Sequence, residues 1–140
     1  MRRRHYAVRG GVTCKLTLVY PDWYAGAYLD DDLRAVVVVV DANPDIIRLI
    51  QSITQNERVS IKEGRNSFNQ MLGAIRILLE FEKYPFSYVT RLSEANNVVV
   101  VTIDETLDEA AKSAAVAMIT CDIQSDVLMF EFGSTRITPH

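Results

Sequence analysis

A chain of 140 residues with 49% apolar and 24% charged residues has the size and make-up of one globular domain with a real hydrophobic core, which excludes intrinsic disorder. Its apolar runs fall far short of the roughly 20 residues that span a bilayer, and the basic start Met1-Arg2-Arg3-Arg4-His5-Tyr6 leads into no apolar signal core, so we expect no membrane partner and a cytoplasmic location. The net charge of −3 is uneven: residues 1–15 hold Arg2, Arg3, Arg4, Arg9 and Lys15 and no acid, which leaves −8 on the remainder.

Residues 1–11 read as a basic arm, 12–135 as a single α/β domain and 136–140 as a tail. Val12, Cys14, Leu16, Leu18 and Tyr20 alternate with Thr13, Lys15 and Thr17, which predicts a strand with one wet face. Residues 21–33 carry Pro21, Asp22, Gly26 and the run Asp30-Asp31-Asp32 and read as a loop. Residues 35–40 are one alanine and five valines, the composition of a strand buried on both faces. Asn43 then offers a helix cap, Pro44 suits the first helical position, and Asp45 favours the positive end of the dipole. This helix should run to about Gln55, with Ile46, Ile50 and Ile53 on a buried stripe broadened by Ile47 and Leu49.

Residues 58–62 read as a short strand that Gly64 ends. Asn66 or Ser67 caps the longest helix, to about Lys83. Its apolar positions Phe68, Met71, Leu72, Ile75, Leu78 and Leu79, widened by Ile77 and Phe81, are broad enough to cover a sheet plus a neighbouring helix or another subunit. Residues 86–92 and 98–103 read as strands joined by an Asn96-Asn97 turn. Thr106-Leu107-Asp108-Glu109 has the form of a capping box, and the helix after it is predicted to face inward with Leu107, Ala110, Ala111, Ala114, Ala117 and Met118. Residues 127–132 form the last strand, ended by Gly133. The order is β-β-α-β-α-β-β-α-β. It predicts an α+β domain with a mixed sheet of five to six strands and three helices, a ferredoxin-like or related sandwich. Val36 to Asp45 faintly repeats in Val98 to Asp108: a valine run, an aspartate, a capped helix.

The only histidines are His5 and His140, one near each end, so no histidine-based catalytic engine is expected and no catalytic residue is assigned. Walker and dinucleotide glycine motifs are absent. Cys14 and Cys121 read as buried, reduced thiols. Four groups of residues could carry binding. Lys62, Arg65 and Ser67, around Gly64 at a strand-to-helix turn, could dock a phosphate. Trp23, Tyr24 and Tyr28 could meet a partner surface or stack on a nucleobase. Arg2, Arg3, Arg4 and Arg9 could contact nucleic acid. Asp41 and Asp104, each following a valine strand, could hold Mg²⁺ with help from Asp30 to Asp32, a route to a metal-dependent phosphohydrolase. The leading expectation is a non-enzymatic binding protein, needing no cofactor, that forms a homo-oligomer and binds a protein or a nucleotide-like ligand.

Overall fold

Valine decides where the sheets form. In the computed structural model, which describes residues 2–5, 16–55, 59–80 and 84–136, both valine runs become the central strands of three-stranded sheets. Arg9, Cys14, Phe81 and His140 lie outside the described residues. Strand β1 (Arg2–His5) pairs antiparallel with β2 (Leu16–Val19), so Arg2, Arg3 and Arg4 belong to a paired strand and not to a free arm.

The first valine run is β4 (Ala35–Val39), flanked by β3 (Tyr24–Leu29) and β5 (Ser60–Glu63). The second is β7 (Val98–Asp104), flanked by β6 (Tyr88–Ser93) and β8 (Leu128–Gly133). In each sheet the first pair is antiparallel and the second parallel. A helix makes each parallel crossover: α1 (Pro44–Thr54) in the first, and α3 (Glu109–Asp122) with a short 3₁₀ turn (Ser125–Val127) in the second. The described residues therefore form an α+β fold with three α-helices and two mixed sheets, whose six strands divide between two matching ββαβ units beside the β1–β2 pair. The third helix, α2 (Phe68–Leu78), joins them. No helix of the described residues is long and apolar enough to cross a membrane.

The faint sequence repeat is thus a structural one, with a shifted register. Tyr24 pairs with Val39 as Tyr88 pairs with Ile103. The next residues, Val40 and Asp104, donate their N–H groups to Trp23 and Ser87, at 2.9 and 3.1 Å. By pairing, Val40 corresponds to Asp104, so the two aspartates that look equivalent in sequence are one position apart.

Strand β3 falls where the sequence predicts a loop. Gly26, at φ 123°, sits in a bulge of this strand, a conformation that favours glycine. The three aspartates make the hairpin turn that follows. The Asp30 carboxylate accepts the N–H groups of Asp32 and Arg34, both at 2.9 Å, while Leu33 adopts φ 61°.

Helix starts follow their caps. Asn43 accepts the Ile46 N–H at 3.0 Å, and Ser67 and Gln70 form a reciprocal capping box at 3.1 and 2.7 Å. At α3 the cap is Asp108, which accepts from Ala111 at 2.7 Å; Thr106, the predicted cap, instead donates to Asp104. The phase of α3 also differs. Ala115 and Ile119 face the core with Leu107 and Val116 packed beside them, whereas Ala110, Ala114, Ala117 and Met118 are exposed. Cys121 lies on that outer side, so it is an exposed thiol.

Met71, Ala74 and Leu78 of α2 join Val99, Val101 and Ile103 of β7 and Ala115, Ile119 and Ile123 in the main core. At its start α2 turns to the other unit, where Phe68 meets Tyr20 and Tyr24. That double engagement takes up part of its apolar surface; at its end Leu79 is exposed beside half-buried Leu72 and Ile75.

Tyr84 anchors the end of α3 to this core by donating to Asp122 at 2.7 Å. Burial first, and then that bond, raise its pKa well above the usual tyrosine value. A folded-state pKa above the unfolded one gives stability that is complete below the unfolded pKa of about 10 and is lost as pH rises beyond it. Tyr84→Phe should remove much of the alkaline loss at the expense of about 1 kcal/mol at neutral pH. Tyr24 and Tyr88, also raised by burial, keep part of the slope. Urea unfolding followed across pH 8–12 checks this; equal slopes in the two proteins would contradict it.

Candidate functional site

The first unit closes less completely than the second. On α1 only Ile50 is buried, whereas Leu49 is 45% and Ile53 64% exposed, contrary to the broad buried stripe predicted from the sequence. Facing this helix is an aromatic wall. Tyr20 and Tyr24 stack at 5.5 Å, Phe68 packs on both at 4.6 and 5.4 Å, and Trp23 sets its edge to Tyr24 at 6.2 Å. Between wall and helix lies an open pocket of about 190 Å³, lined by Tyr20, Pro21, Trp23 and Tyr24 on one side, Ile50, Ile53 and Thr54 on the other, and Val37 of β4 between them. Its lining is almost wholly apolar. Burial lifts the Tyr24 hydroxyl pKa, and the nearby Glu94 charge adds to that rise, so this ring stays neutral.

The turn with Lys62, Arg65 and Ser67 borders a different hollow, of about 310 Å³, into which Val38 faces. Successive strand residues point to opposite faces, so Val37 and Val38 place the aromatic pocket and the cationic turn on opposite faces of the first sheet. Tyr28 lines neither. The donors of the turn are also engaged within the chain. Lys62 Nζ donates to the Ala95 carbonyl at 3.1 Å, Arg65 lies 3.8 Å from Asp126, and Ser67 is the α2 cap. The Asn66 N–H goes to Asn97 Oδ1 at 2.6 Å and the Ser67 N–H to Gln70 Oε1 at 2.7 Å. The N–H groups that would cradle a phosphate at this helix start are largely filled by the chain's own side chains.

The aspartates are separated by their strands. Asp30 to Asp32 precede β4 and Asp41 follows it, so a five-residue strand, roughly 17 Å at about 3.3 Å per residue, lies between them. Asp41 is exposed and accepts from Asn43 Nδ2 at 3.3 Å. Asp104 accepts from the Thr106 N–H at 2.9 Å and hydroxyl at 2.8 Å, bonds that hold its carboxyl below the usual range, helped by the Arg136 charge. It borders a polar cleft of about 420 Å³ at the carboxyl ends of β7 and β8, with Ser87, Glu105, Thr106, Ser134, Thr135 and Arg136; Asp41 is not among the lining residues. Ser87 and Thr135 bond to each other there at 2.7 Å. Among the described residues no three His, Cys, Asp or Glu side chains gather closely enough to hold a metal ion.

Of the sequence-selected residues, Trp23 and Tyr24 thus share the apolar pocket, and Lys62 and Arg65 share the other hollow. Val37 and Ile53 line the same apolar pocket, and sequence reading places both of them in ordinary core. Val37 has a covered counterpart in the second unit, Val101, whereas Ile53 matches Met118, which is exposed as well. Compared with known proteins, the chain matches no protein-family model and no curated protein.

Proposed function

We propose that this chain is a non-enzymatic protein-binding module that takes apolar side chains of a partner into the pocket between Trp23 and Ile53. The observation that carries the reading is the open, apolar pocket walled by aromatic rings and by an exposed isoleucine. Exposed apolar surface of this kind marks interaction sites, and aromatic residues dominate their energetics. A nucleotide-like ligand has less support, because the stacking rings and the cationic turn lie on opposite faces of a sheet. Nucleic-acid binding through Arg2 to Arg4 would engage the strand paired with β2, which leads into Tyr20.

Trp23 is the only tryptophan, so selectively excited tryptophan fluorescence reports on this pocket. Titration with a neutral apolar dye such as N-phenyl-1-naphthylamine should brighten the dye and quench Trp23. Ile53→Asp, at a position exposed enough to fold normally, should weaken that binding by about tenfold or more, the equivalent of roughly 1.4 kcal/mol of lost apolar contact. Dye binding that leaves Trp23 unaffected, or equal binding to the variant, would remove the reading.

A further inference from the structure

We draw no further inference here: the strongest candidate, the polar cleft at the carboxyl ends of β7 and β8 lined by Asp104, Glu105 and Arg136, has Asp104 bonded to Thr106 and Ser87 bonded to Thr135, and nothing in the structure shows which ligand its mixed charges would take.

Discussion

Alanine at position 64 is expected to destabilise the fold by about 2–4 kcal/mol, through loss of buried hydrogen bonds made by a different residue, Asn97. A Cβ on Gly64 would stand 2.7 Å from the side-chain carbon of the Asn97 amide and 2.8 and 2.9 Å from its oxygen and nitrogen. That amide is not free to swing. Its oxygen accepts the Asn66 N–H at 2.6 Å and its nitrogen donates to the Asn66 carbonyl at 2.7 Å. Asn66 returns the contact, donating from Nδ2 to the Asn97 carbonyl at 2.8 Å and to the Asp126 carbonyl at 3.0 Å. Both asparagines are buried, so each broken bond leaves a polar group without water. The clasp ties the turn after β5 to the turn between β6 and β7, and so holds one unit to the other. Asn97 also occupies φ 57°, a conformation asparagine tolerates better than alanine does. Asn97→Ala should therefore cost about 3–5 kcal/mol, since the Asn66 N–H and carbonyl lose their partners. With the amide gone, Gly64→Ala meets little, and the double variant should be nearly as stable as Asn97→Ala alone. Urea unfolding of the four proteins measures that coupling. Simple addition of the two losses would show that Gly64 is not there to admit the clasp.

Much of this fold is legible in the sequence because local chemistry and tertiary structure agree. Asn43-Pro44, Ser67 with Gln70, and the two valine runs each say one thing at both levels. Strand β3 was hidden because its signals are mixed. Gly26 and three aspartates suggest a loop, and only the bulge and the Asp30-centred turn turn them into a hairpin. The phase of α3 was hidden for another reason: its alanines carry no preference between faces. Ile119 and Ile123 set the phase, and Leu107, Ala111, Ala115, Ile119 and Ile123 follow at steps of four. The candidate site was half legible. Aromatic residues beside a proline stand out in any reading. Val37 and Ile53 do not, because periodicity shows which side of an element is apolar and not whether anything covers it. That second fact is tertiary: Val37 is half-buried where its counterpart Val101 is wholly buried.

Leu78→Ala tests that comparison energetically, and its expected loss is about 3–5 kcal/mol. Leu78 is 1% exposed and packs in the closed core where α2, α3 and β7 meet. Removing its side chain leaves an apolar cavity that neighbouring helices prevent from collapsing, so the transfer and cavity terms both count. For a domain of this size such a loss is a large share of the roughly 5–15 kcal/mol available. Ile50→Ala deletes a side chain of similar volume that is also buried, at 4% exposure, but one that borders the open pocket. Truncation there enlarges a space already continuous with solvent, which lessens the cavity term, and the expected loss falls to about 1–2 kcal/mol. The contrast between the two positions is the sharper measurement, because both report on the same layer of matching units. Thermal and urea unfolding should give the same ranking. If Ile50→Ala cost as much as Leu78→Ala, the pocket would be closed in solution, and there would be no open place beside Trp23 for a partner's side chains to enter.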